Sequence, residues 1–308
     1  MVKTVSNLKI VVAQDMPFYP DQIKKLKSLG KVTFHKNLAG SPDEWLNRCK
    51  DADVICSGKF GLKEKIYDLK NMFISLPFVG VDWIDVNRIK KKNVKVAYCP
   101  GCNKNAVAEW IIGMMLNMLR NFPKYIKNKS IPKGKIPSYE KSLVDKSVTI
   151  LGKGNVGTRA GEICRVLGMN VTFFKRGSDL YKSIKDADVI IDALSSNPTT
   201  YGLLNMQFFN SLKRGSYFIT VTGSKICNID GMFDALDKGI LAGAASDAGS
   251  IQIGDVSDPY YRRLLAHPKV LVTPHIAYNT DVTKRVAYDM MIDNVEAWIK
   301  GRPKNLLS

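Results

Sequence analysis

The chain is poor in several things, and each shortage closes off a class of protein. No apolar run in its 308 residues approaches the roughly 18 needed to cross a bilayer. The opening stretch, MVKTVSNLKIVVAQD, lacks the apolar h-region and small-residue cleavage site of a secretory signal, so a cytoplasmic location is expected. Six cysteines are too few for a disulfide scaffold. One close pair, Cys99 and Cys102 in CPGC, has redox-motif spacing. No second CxxC and no histidine stands near it, so no metal is expected, and the stretch reads as a Pro-Gly turn. Histidines number only three. No glutamate occurs between Glu162 and Glu296, so any carboxylate working in that stretch is an aspartate. Acidic residues are also the minority, 28 against 46 Lys and Arg, for a net charge of +18. The lysines are spread over the whole chain. Their densest patches, RIKKKNVK (88–95) and KYIKNKSIPKGK (124–135), lack the aromatic interleaving of a single-strand binder. The charge reads as a solvated surface, with no nucleic-acid or membrane partner.

What is present is alternation. Apolar strand-like runs at 8–13, 31–34, 53–56, 72–76 and 94–98 form one series. Runs at 147–151, 171–174, 187–191, 217–221, 241–245 and 269–272 form a second. Segments with apolar residues at helical spacing lie between them, as in PDQIKKLKSLG, where a glycine stops the helix. Such alternation predicts parallel sheets covered on both faces, and two series predict two α/β domains, each doubly wound. Between the series, residues 105–121 predict a long, largely buried helix or a subunit interface. The Pro- and Lys-rich stretch 122–138 then reads as a loop. A single amphipathic helix follows residue 280.

One segment carries nucleotide chemistry. VTILGKGNVGTRAGEICRVLGMNVTFF runs strand, G-x-G-x-x-G, helix, strand. Gly152 suits the tight turn, Gly154 a close approach of backbone to a pyrophosphate, and Gly157 close packing of helix on strand. Asn155 and Val156 lie inside the motif, where the helix N-terminus offers free N–H groups to phosphate. The end of the second strand bears on cofactor choice. An Asp or Glu there would bond the ribose 2′-OH of NAD. The chain has Lys175 and Arg176 instead, which attract a 2′-phosphate. NADP is therefore the expected cofactor, with NAD a possible second.

With these segments go FVGVDWIDV (78–86), AVAEW (106–110), AGAASDAGS (242–250), HPKVLVTPHIA (267–277) and the closing GRPKNLL (301–307). In this order they resemble the D-isomer-specific 2-hydroxyacid dehydrogenases, the family of glycerate, hydroxypyruvate/glyoxylate and phosphoglycerate dehydrogenases. The resemblance implies a Rossmann nucleotide domain, 103–275, inserted into a flavodoxin-like catalytic domain made of 1–102 and 276–308. It implies a homodimer, and reduction of a small 2-keto acid in a cleft shared with the nicotinamide. By the same resemblance the amides of Val79 and Gly80 hold the substrate carboxylate. Val221 joins the cofactor site, Asp247 lies near the nicotinamide, and His275 is the acid–base group.

Two family partners are replaced. Gly223, in TVTGSKICNI (220–229), stands where the family has a substrate-clamping arginine. Gln252 stands where it has a glutamate paired with the histidine. A glutamine oxygen can still accept the imidazole N–H, so Gln252 is expected to orient His275; Asp255 and Asp258 are nearby alternatives. Arginine offers a planar fork that glycine cannot. Lys225, two residues on, would point to the same side of an extended segment and is one candidate replacement. Lys104 and Arg285 are others. Two functions follow: a reductase, or a nucleotide-binding sensor or scaffold that has lost turnover.

Overall fold

The computed structural model describes residues 8–127 and 139–307. The chain divides into two compact units. One is built from both ends of the chain, up to Asn103 and from Thr280; the other is Lys104–Asn279.

The first unit holds five parallel strands: β1 (Lys9–Val12), β2 (Lys31–Phe34), β3 (Val54–Cys56), β4 (Met72–Ser75) and β5 (Val94–Ala97). Their order is β2-β1-β3-β4-β5, so the order reverses between β1 and β3. The central strands VIC and MFIS are buried at every residue, as a sheet covered on both faces requires. Helices α1 (Pro20–Lys27), α2 (Pro42–Cys49), α3 (Leu62–Lys65) and α4 (Val86–Lys91) fill the crossovers. Ser41 and Asp85 begin α2 and α4 by accepting backbone N–H bonds that the first helical turn cannot satisfy. CPGC forms a turn, closed by Cys102 N–H to the Cys99 carbonyl at 3.2 Å. Both thiols are buried, and burial pushes the Cys102 pKa up to about 11. Such a thiol holds no thiolate for redox chemistry near neutrality.

The second unit opens with α5 (Lys104–Leu119) and α6 (Phe122–Lys127). The first part of the stretch expected as a loop is thus helical. Pro123 sits in the first turn of α6, where its missing N–H costs nothing; the rest, 128–138, lies outside the described residues. Then come β6 (Ser147–Leu151), α7 (Asn155–Val166), β7 (Asn170–Phe174), α8 (Leu180–Ile184), β8 (Val189–Asp192), α9 (Met206–Asn210), β9 (Ser216–Thr220), α10 (Ile229–Asp237), β10 (Leu241–Ser246), α11 (Pro259–Ala266) and β11 (Val270–Val272). All six strands are parallel, ordered β11-β10-β9-β8-β6-β7, so the order reverses between β6 and β8. Helix α5 buries Ala108, Ile111, Met115 and Leu119 in this unit's core, beside Val148, Ile150 and Ile191.

The chain returns to the first unit as α12 (Asp281–Ile299). Ser75 Oγ donates to the Met291 carbonyl at 2.9 Å and Asn294 Nδ2 to the Tyr98 carbonyl at 2.9 Å. These bonds join sequence positions about 200 residues apart into one core. No helix among the described residues is long and apolar enough to cross a membrane.

Candidate active site

In open parallel sheets, ligands bind beyond the carboxyl ends of the strands where the strand order reverses. In the second unit that place lies between β6 and β8. Gly152 leaves β6 with φ +99°, and a Cβ there would stand 2.7 Å from the Ala193 carbonyl oxygen, just after β8. A Cβ on Gly157 would stand 2.0 Å from the Gly152 oxygen. Both glycines are therefore compelled by backbone on backbone. Around Gly154, by contrast, nothing lies within 4 Å of the missing Cβ. That open face, at the N-cap of α7, is where a pyrophosphate would lie against unsatisfied N–H groups of Asn155 and Val156. No side chain caps the helix. A cavity of about 350 Å³ adjoins it, lined by Lys104, Lys153, Gly154, Asn155, Thr158, Arg159 and Glu162. The arrangement fits a dinucleotide. Lys175 and Arg176 are exposed just past β7, and Val221 directly follows β9, its N–H bonded to the Asp192 carbonyl at 3.2 Å.

His275 lies past β11 and is half-buried, with φ +58°, a region non-glycine residues rarely enter. Asp247 holds it there. This buried carboxylate accepts from Thr273 Oγ1 at 2.5 Å, Ile276 N–H at 2.9 Å and Ala277 N–H at 2.8 Å, bracketing the histidine. Burial pushes the Asp247 pKa up, and these three bonds and the nearby imidazole oppose that rise. The ring meets Tyr278 edge-on at 6.1 Å. Its Nδ1 lies 3.1 Å from the Ile251 carbonyl oxygen. A carbonyl only accepts, so the proton sits on Nδ1 and Nε2 is left for chemistry.

This corrects the expectation for Gln252. Its side chain is exposed and bonds no part of His275; the preceding residue's backbone does the orienting. Asp255 is occupied by Ser257, and Asp258 caps α11 at Tyr260 N–H. A backbone acceptor has no side-chain signature, so nothing in the sequence marks Ile251.

The expectation for Lys225 also needs correction. Residues 224–226 form a turn, not an extended segment, closed by Ile226 N–H to the Gly223 carbonyl at 3.0 Å. The Lys225 ammonium lies 5.4 Å from the Tyr201 ring centroid, in solvent. Arg285 is engaged by Asp21 and Asp289 and stacks on Tyr19. Lys104 lines the cavity beside Gly154. At Gly223 itself, a Cβ would stand 2.6 Å from Ser250 Oγ, which accepts from Ser224 N–H at 2.5 Å. A serine hydroxyl fills the place where a longer side chain would start.

Sequence reasoning also missed Asp192. This fully buried carboxylate ends β8 and accepts from Thr220 Oγ1 at 2.8 Å, Thr222 Oγ1 and Leu194 N–H. Among the described residues no cation pairs with it, and burial raises its pKa to about 6 against those three bonds. It anchors the segment that leads into Gly223. Among the described residues, no group of three or more His, Cys, Asp or Glu could hold a metal ion.

Residues 112–277 match the family model of the D-isomer specific 2-hydroxyacid dehydrogenase NAD binding domain. The chain belongs to this family. Its members are NAD-binding oxidoreductases that interconvert 2-keto and 2-hydroxy acids. A hydroxypyruvate reductase of Blautia hydrogenotrophica is 24% identical, over 98% of this chain and all of that protein. A D-lactate dehydrogenase of Staphylococcus aureus is 25% identical, over 82% of this chain and 84% of its own length. Among solved structures, an acyclic imino acid reductase in complex with NADPH and D-Arg is similar with a TM-score of 0.83 at 19% identity, covering 98% of this chain and all of that one. A glyoxylate reductase of Paecilomyes thermophila reaches 0.81 at 20% identity, covering 98% of each chain. These two share the fold.

Proposed function

We propose that this dehydrogenase reduces a small 2-keto acid, of the glyoxylate or hydroxypyruvate kind, to the D-2-hydroxy acid, with NADPH preferred over NADH. The observation that carries the reading is the held imidazole: Nδ1 tied to a backbone carbonyl, the loop pinned by Asp247, and Nε2 unclaimed. Held by its pyrophosphate at the Gly152–Gly157 turn, a reduced dinucleotide would supply the hydride. The protein's own part is to bind, orient and move a proton. The Val79 and Gly80 amides would hold the carboxylate of the keto acid. Protonated His275 would give its Nε2 proton to the carbonyl oxygen, so that no alkoxide is left in a site without arginine. A panel of 2-keto acids, followed by loss of reduced-nicotinamide absorbance, tests this; wild type no faster than His275→Ala, with NADPH still bound, would end it.

The packing of Ser250 against Gly223 favours a second reading, a nucleotide-binding sensor or scaffold with weak turnover. Loss of one preorganised donor to a developing oxyanion costs about 10²–10³ in rate. NADPH binding with rates at background for the whole panel is the result that would select it. Either way the chain is proposed to work as a cytoplasmic homodimer, checked by light scattering as a single species of twice the monomer mass.

A further inference from the structure

The first unit has its own reversal of strand order, between β1 and β3. The loops beyond those strands are tied together there: Gly58 N–H donates to Gln14 Oε1 at 3.2 Å. On the β3 side of that place stands Lys59. Its stem carries the ammonium to the loop after β4, 5.3 Å from the Phe78 ring centroid. A Cβ on Gly80 would lie 3.9 Å from Nζ. Among the described residues no carboxylate bonds this ammonium; Asp82 and Lys63 act on it only through space, with opposite effects. Partial burial is the largest influence and lowers its pKa. Lys59 is an exposed residue whose ammonium, bonded to no carboxylate, lies beside the open Gly80 at the carboxyl end of a parallel sheet, a place suited to an anion.

We propose that Lys59 binds the carboxylate of the substrate together with the Val79 and Gly80 amides, and so supplies the cation that Gly223 does not. The inference rests on the keto-acid reading for its substrate, but the cation and the loop are observations on the first unit alone. The chemical class of ligand is a small 2-oxo monocarboxylate. The Phe78 ring beside the ammonium limits how far it can swing, and the absent side chain of Gly80 keeps the approach open. Lysine is a point charge and not a fork. It can neutralise the carboxylate, but it does not clamp carboxylate and carbonyl oxygen together as a guanidinium does.

The test uses the full chain saturated with NADPH. KM and kcat for glyoxylate, the dissociation constant of oxamate by calorimetry, and NADPH affinity are measured for wild type, Lys59→Met and Lys59→Arg. Lys59→Met should raise KM and weaken oxamate about tenfold or more, the loss of one charge-assisted bond, with kcat and NADPH affinity little changed. Lys59→Arg should restore most of the binding. If wild type turns over and Lys59→Met matches it in KM and oxamate affinity, Lys59 is not the carboxylate cation, while the function stands. If wild type is inert yet binds oxamate in a Lys59-dependent way, the site stands and the function falls. If wild type neither turns over nor binds oxamate, both fall.

Discussion

At His275 two groups act on one ring from different sides. The Ile251 carbonyl selects the tautomer, and Asp247 holds a backbone that a histidine does not adopt without support. Removing the imidazole removes the proton and leaves the dinucleotide turn untouched. His275→Ala should lower kcat by about 10²–10⁴ with NADPH affinity unchanged; fluorescence titration and steady-state rates separate the two. The converse residue is Gly157. A methyl there would press on the Gly152 carbonyl, which belongs to the turn itself. Gly157→Ala should abolish NADPH binding while the protein still unfolds cooperatively, and a variant binding as wild type would remove that turn from the cofactor site. Both residues stand out as candidates in the sequence, because side-chain identity and glycine spacing mark them. Ile251 does not, because it acts through a carbonyl that every residue has.

Between elements, the segments after β9 and β10 are joined by serine hydroxyls. Ser224 N–H meets Ser250 Oγ, and a Cβ on Gly249 would lie 3.0 Å from the Thr222 carbonyl oxygen. Restoring the family arginine alone should therefore fail. Gly223→Arg meets Ser250 and should depress turnover; adding Ser250→Gly makes room, and the pair should exceed the single variant in kcat/KM for glyoxylate. Equal rates would show that Ser250 does not block the position. Asp192 governs the same segment through its charge. Its folded-state pKa, about 6, lies above the ordinary 3.8, so the folded protein binds this proton more tightly than the unfolded chain. That stabilisation is complete below about pH 4 and is lost as pH climbs to about 6, on the order of 3 kcal/mol in all. In Asp192→Asn the term is absent. Thermal unfolding from pH 4 to 7 should show the variant gaining on wild type across that window, and a constant gap would contradict the assignment. Among the described residues all eleven strands were readable from apolar periodicity, whereas α6 was not, because its Pro- and Lys-rich sequence reads as a loop. Nor was the hydroxyl network, because Asp192 lies 28 and 30 residues from Thr220 and Thr222, and each looks by itself like a strand-end residue.

Over the whole molecule, two sheets share one order through their first five strands, and each brings loops together where that order reverses. Gly152 meets Ala193 at one, Gln14 meets Gly58 at the other. The alternation of strand and helix already implied this, since parallel strands need crossovers. The net charge of +18 gives a long-range pull on an anionic cofactor, and the local pair at 175–176 is what we propose chooses between cofactors. The two effects separate with salt. The screening length falls from about 30 Å at 0.01 M to about 8 Å at 0.15 M. Association of NADPH and of NADH should both slow over that range in stopped-flow traces, because both are anions approaching a positive body. Their equilibrium ratio should respond instead to the neighbours of the 2′-phosphate. Lys175→Gln with Arg176→Gln should weaken NADPH about tenfold or more and leave NADH nearly unchanged. If the ratio survives the double change, the 2′-phosphate is not held past β7. If NADH weakens equally, the pair contributes only to the general field, and the choice of NADP loses its physical basis.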